Sequence, residues 1–137
     1  MLTIRKEQLD QMFTHDEARF VDFVVRHVQQ ECRDSVRDID PVSLREMVTN
    51  GLARARAHGL RGPKDLTAFV AIMFEIAPNF DEQPDIRRAL GDESVPLEGR
   101  FDAMLERVPD WAWEDAQRGK VSEAWFPELL AGQEPSQ

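Results

Sequence analysis

Apolar residues recur along this chain at every third or fourth position, which is the period of an α-helix. One stripe with the spacing i, i+3, i+4, i+7 and i+8 consists of Phe20, Phe23, Val24, His27 and Val28. Several residues in this stretch are β-branched, so a strand is the competing interpretation. The helical period and the polar residues between the apolar ones favour a helix that opens near Asp16.

A second helix is predicted after Asp40-Pro41, because an acid followed by proline is a common helix start. Its end is predicted at His58-Gly59, where glycine can adopt the left-handed conformation that closes many helices. The apolar stripe between these two ends consists of Leu44, Met47, Val48, Gly51, Leu52 and Ala55.

The most apolar segment runs from Leu66 to Ala77 and is apolar on nearly every side. Such a segment is typical of a core helix, so we predict a central apolar helix at about residues 65–77, which Pro78 terminates. A later stripe, predicted to break or kink at Pro109, consists of Leu97, Phe101, Met104, Leu105 and Val108.

These patterns predict an all-α fold, a compact bundle of about five to seven helices. Strand signals are nearly absent from the sequence. A chain of 137 residues suits one domain. We expect that domain to span residues 1–118, followed at 119–137 by an aromatic and acidic C-terminal segment that is partly flexible.

The formal net charge is −9, and the charge is unevenly distributed. Five bases and one acid lie between Leu44 and Lys64, whereas seven acids and two bases lie between Glu75 and Gly99. Because nucleic-acid binders usually carry a basic patch, the total charge argues against a nucleic-acid partner. The basic stretch either faces water and the protein's own acids or docks an acidic partner surface through Arg45, Arg54 and Arg56.

The longest uninterrupted apolar run extends from Ala68 to Phe74, far short of the roughly 20 residues that cross a bilayer. We therefore expect no membrane partner. The first residues carry positive charge without a following apolar signal core, and the single Cys32 cannot form an intramolecular disulfide. These features predict a cytoplasmic protein.

Candidate catalytic groups do not assemble into a recognisable motif. None of the three histidines, His15, His27 and His58, belongs to a zinc motif, and the glycines form no phosphate-binding loop. A pair formed by His27 and Cys32 would have i, i+5 spacing, which points the two side chains apart on a helix. We therefore predict no enzyme activity, cofactor or metal; a small hydrolase that uses scattered acids and His27 is the alternative.

Aromatic residues are concentrated late in the chain, where Trp111, Trp113, Trp125 and Phe126 precede the apolar pair Leu129 and Leu130. Tryptophan is enriched at interface hot spots because it removes a large apolar area from water while offering one hydrogen-bond donor. These residues either cover the domain core or bind a partner protein.

Helix-and-turn stretches in the first 107 residues share a pattern with a known family. The stretches are Thr3–Leu9, Leu44–Val48, Gly51–Leu60, Phe69–Phe74 and Ala77–Asp81. Together they resemble small helical proteins encoded beside type VI secretion effectors, spike proteins and effector adaptors in Gram-negative bacteria. The tryptophan-bearing tail departs from that pattern, and the family supplies no catalytic residues to transfer.

The resemblance implies an accessory protein or co-chaperone that helps an adaptor hold a type VI secretion effector before loading. The partner would then be a larger protein, either the effector adaptor or the effector, and the oligomeric state stays open. An immunity protein that binds and inhibits a toxin effector is the alternative. Its acidic surface between Glu75 and Gly99 would suit a nuclease with a basic cleft.

Overall fold

Helices joined by short loops make up residues 16–129, the part of the chain that the computed structural model describes. The prediction of an all-α fold is confirmed, since no strand occurs in that range. The α-helices are α1 (Glu17–Glu31), α2 (Arg33–Val36), α3 (Pro41–Ala57), α4 (Pro63–Glu75), α5 (Pro84–Leu90), α6 (Leu97–Arg107) and α7 (Asp110–Arg118). Two 3-10 helices span Phe80–Glu82 and Ser122–Trp125.

The chain divides into two compact units, and the boundary after Ala71 falls inside α4. In the first unit α1 packs against α3. The Asp16 carboxylate begins α1 by accepting a hydrogen bond from the Arg19 amide at 2.9 Å, which satisfies one of the unpaired donors of the first turn. The predicted stripe of α1 is buried at Phe20, Val24 and Val28.

Local capping determines both ends of α3, as the sequence predicted. Asp40 accepts a hydrogen bond from the Ser43 amide at 3.0 Å, and Pro41 occupies the first turn, where its missing N–H costs nothing. His58 closes the helix, and Gly59 follows with a φ of 90°, which a residue without a β-carbon adopts readily.

The apolar helix predicted at about residues 65–77 is α4, which spans Pro63–Glu75. Its buried side chains in the first unit include Leu66, Phe69 and Val70. Near its N-terminus the Thr67 hydroxyl donates to the Pro63 carbonyl at 2.7 Å. The helix ends shortly before Pro78, whose ring is incompatible with a continued helix.

The core of the second unit is formed largely by residues of short helices. Its largest fully buried side chains are Met73, Phe80, Ile86, Phe101 and Met104. The first 3-10 helix contacts both α5 and α7, and α5 packs against α6. The predicted break at Pro109 is confirmed, since α6 ends before this residue and α7 begins after it.

Within the second unit, Asn79 binds the segment that follows α7. Its side-chain amide donates to the Gly119 carbonyl at 3.0 Å, and its Oδ1 accepts from the Val121 amide at 2.8 Å. Trp125, further along, is buried. The sequence predicted a separate, partly flexible segment from residue 119; its described beginning packs with the residues that precede it. Among residues 16–129, no helix has both the length and the apolar character that a bilayer span requires.

Candidate protein-binding surface

The structure separates the tryptophans that the sequence placed in one candidate surface. Trp125 is buried, with its ring 4.3 Å from that of Phe74 between centroids. Trp113 is half-buried and faces Phe80 at 6.0 Å. Phe126 is half-buried as well. Trp125 therefore belongs to the core of the second unit. Of the two expected roles, core packing and partner binding, this ring has the first.

Trp111 differs from the other two tryptophans because 56% of its surface is exposed. The opposite side of α7 is buried at Ala112 and Ala116, so the helix turns its small residues inward and this indole outward. Leu129 is also exposed, whereas Leu130 lies outside the described residues. Of the aromatic candidates, Trp111 offers the largest accessible apolar area.

The arginines predicted to dock an acidic partner lie on α3, which packs against α1. Arg56 forms a two-pronged ion pair with Glu17, with nitrogen–oxygen distances of 2.8 and 2.9 Å. Arg45 pairs with Asp22, and Arg54 lies half-buried on the same helix. Acids of α1 therefore neutralise Arg45 and Arg56 within the first unit.

A row of carboxylates follows one side of α6. Glu98, Asp102 and Glu106 are exposed and four residues apart, so they share one stripe of the helix. Beside them Leu105 exposes 42% of its surface, and Leu97 at the helix start exposes 40%. The sequence pattern assigned both leucines to one apolar stripe. Only Phe101, Met104 and Val108 of that stripe are buried.

The arginines of α6 point to other groups and do not neutralise this row. Arg100 donates to the Val95 carbonyl at 2.9 and 3.1 Å, and Arg107 lies 3.7 Å from Asp92. Hydrogen bonds from the Ser94 hydroxyl and amide hold the pKa of Asp92 below its usual value, and the charge of Arg107 lowers it further. The two arginines of α6 therefore bind groups of the loop that precedes the helix.

A polar groove of about 410 Å³ opens beside α7. It is lined by Asn79, Glu82, Gln83, Asp115, Ala116, Arg118 and Gly119. The Gln83 Oε1 accepts from the amides of Asp85 and Ile86, and its Nε2 donates to Asp115 at 3.3 Å. Asn79 is occupied by the two bonds to the segment after α7. The side-chain amides of Asn79 and Gln83 therefore form hydrogen bonds within the second unit.

The residues considered for catalysis each contact a different neighbour in the first unit. His27 packs near Phe23, with 6.4 Å between ring centroids. Cys32 is buried, with its Sγ 3.8 Å from the Ala71 carbonyl oxygen. His58 faces Phe69 at 5.6 Å. Within residues 16–129, no group of three or more histidine, cysteine or acidic side chains could hold a metal ion.

The exposed apolar residues of α6 and α7, with their neighbouring acids, are the best candidate for a binding surface. The sequence identified Trp111 but missed the acidic row and Leu105. The signal for that row was the four-residue spacing of Glu98, Asp102 and Glu106. Comparison of the chain with protein-family models, with curated proteins and with solved structures finds no match.

Proposed function

We propose that this chain is a non-enzymatic accessory protein that binds a larger protein partner. In the specific form of this proposal, it is a cytoplasmic bacterial co-chaperone that assists an effector adaptor in loading a type VI secretion effector. The general role is supported by the surface of α6 and α7. The specific role is supported by the resemblance of the helical stretches in residues 1–107.

The exposure of Trp111 is the observation that carries the proposal. An indole with 56% of its surface in water retains a large apolar area that a partner could cover. Tryptophan is also the residue type most enriched among interface hot spots. Trp125, which has the same side chain, is 5% exposed and has its partner inside the second unit. Because Trp125 is buried and Trp111 is exposed, Trp111 is the indole that we expect a partner to contact.

Co-expression with the effector adaptor of the same gene cluster, followed by a pull-down, tests this function. We expect a stable complex at micromolar concentration and a weaker one with Trp111→Ala. Val42→Ala is the matched control, because Val42 is 78% exposed and lies in the first unit. Failure of the two wild-type proteins to co-purify would count against the co-chaperone role.

An immunity protein is the second candidate function, and the acidic row of α6 is the observation that favours it. Carboxylates at Glu98, Asp102 and Glu106 face water, and a negative surface steers toward the basic cleft of a nuclease. A protection assay separates the two roles. An immunity protein rescues cells that express the toxin, whereas a co-chaperone raises the amount of toxin or its secretion.

A further inference from the structure

Two apolar side chains are exposed on successive helices of the second unit. Leu105 near the end of α6 is 42% exposed, and Trp111 in the first turn of α7 is 56% exposed. Pro109 interrupts the helix between them, so they stand on either side of a bend. Their apolar area would be removed from water by an amphipathic partner.

Acidic side chains adjoin both apolar residues. Asp102 precedes Leu105 by three positions, and Glu114 follows Trp111 by three, so each pair consists of neighbours on a helix surface. We define the Leu105–Trp111 surface as these two residues with the five exposed carboxylates of Glu98, Asp102, Glu106, Asp110 and Glu114. This surface therefore combines two exposed apolar side chains with neighbouring carboxylates.

The arginines of α6 and α7 have partners other than these five carboxylates. Arg100 and Arg107 are engaged by Val95 and Asp92, and Arg118 lies 3.7 Å from Asp115. None of the five carboxylates takes part in an ion pair or hydrogen bond with a described residue. The contrast with α3 is direct, because Arg45 and Arg56 there have acidic partners on α1.

We propose that the Leu105–Trp111 surface binds a basic amphipathic segment of a partner protein. Lysine or arginine side chains of that segment face the carboxylates, and its apolar side chains cover Leu105 and Trp111. Charge complementarity selects this occupant, since phosphate backbones and anionic lipids carry the same sign as the surface. This inference rests on the proposed function, because it assigns a face and a chemical class to the protein partner.

The probe is a labelled amphipathic peptide of leucine and lysine, and the measurement is the fluorescence anisotropy of that peptide as the full chain is added. We expect saturable binding that weakens as salt rises, since exposed charges are screened. A matched peptide with glutamate in place of lysine should not bind. Trp111→Ala should weaken binding by about tenfold or more.

Charge-neutralising variants decide whether the carboxylates select the peptide. The triple variant E98Q, D102N and E106Q should bind the basic peptide at least about tenfold more weakly and lose most of the salt dependence. The control triple variant E31Q, D34N and D38N changes the net charge equally in the first unit, at exposed positions. Equal weakening by the two triple variants, or none by the first, would overturn the inference.

The same variants separate this inference from the proposed function. If the adaptor co-purifies with the E98Q, D102N and E106Q variant as well as with wild type but is lost with Trp111→Ala, the protein-binding role stands and the basic segment is wrong. If the adaptor fails to bind while the peptide shows the expected pattern, the basic segment stands and the co-chaperone role is wrong.

Discussion

The ring of Trp125 packs against that of Phe74, with 4.3 Å between centroids and 35° between planes. The contact joins the second 3-10 helix to the end of α4. Both residues are buried, so this pair forms part of the core of the second unit. Rings at such a distance and tilt gain attraction in addition to the apolar area that they bury.

Trp125→Ala is therefore expected to destabilise the protein by about 3–5 kcal/mol, because it leaves a large cavity in the core. The measurement is the free energy of unfolding from urea denaturation followed by circular dichroism. Trp111→Ala is the control and should change that free energy by no more than about 0.5 kcal/mol, since its ring is mostly in water. Similar losses in the two variants would contradict the assigned burial.

Asn79→Ala should release the segment that follows α7. The variant removes the donor to Gly119 and the acceptor of Val121, and we expect a loss of about 1–3 kcal/mol for these two hydrogen bonds. Amide hydrogen exchange gives the sharper test, because the Val121 amide loses its partner and should exchange faster. Gln117→Ala, an exposed substitution on α7, should leave that exchange rate unchanged.

The ion pair between Glu17 and Arg56 should contribute only modestly to stability. Its two oxygen–nitrogen distances are short, but the side chains are 56% and 37% exposed, so water screens the attraction. A double-mutant cycle with alanine at both positions should give a coupling of about 1 kcal/mol that falls at high salt. The more exposed Asp34–Arg37 pair is the control and should show weaker coupling.

Stability in acid should depend on Asp40. The hydrogen bond from the Ser43 amide lowers the pKa of this carboxyl from its usual 3.8. Because the folded-state pKa is the lower one, the stabilisation is fully present above 3.8 and is lost as the pH falls through the folded-state value.

Asp40→Asn should therefore keep the helix cap at neutral pH and remove this part of the acid sensitivity, since asparagine caps helices about as well as aspartate. The measurement is the unfolding midpoint between pH 7 and the acid range. Asp38→Asn, at a nearby exposed position, is the control. An Asp40→Asn profile that falls as steeply as that of wild type would show that the cap does not titrate as described.

The helices and several of their ends could be predicted from the sequence because they depend on neighbours within one turn. The hydrogen bond at Asp40 begins α3 locally, and the left-handed Gly59 lies just after its end. Pro109 separates α6 from α7 for an equally local reason, its incompatibility with a helix interior. Apolar spacing predicted the buried faces of α1 and α3 because the helical period itself determines which residues share a face.

Which residues belong to the candidate surface depends on long-range contacts, and the spacing of residues along the sequence does not specify those contacts. Arg45 and Arg56 looked like a docking face, but their partners on α1 lie 23 and 39 positions earlier in the chain. Leu105 follows the apolar period yet is 42% exposed, because it lies at the edge of the stripe beside the fully buried Met104.

The sequence by itself determined the all-α fold, which residues 16–129 show, and where several of the helices stop. Only the tertiary structure decided that Trp125 enters a core while Trp111 remains in water. The physical reason is that helical periodicity comes from backbone hydrogen bonds between near neighbours, whereas burial depends on which distant side chains fill the space beside each ring.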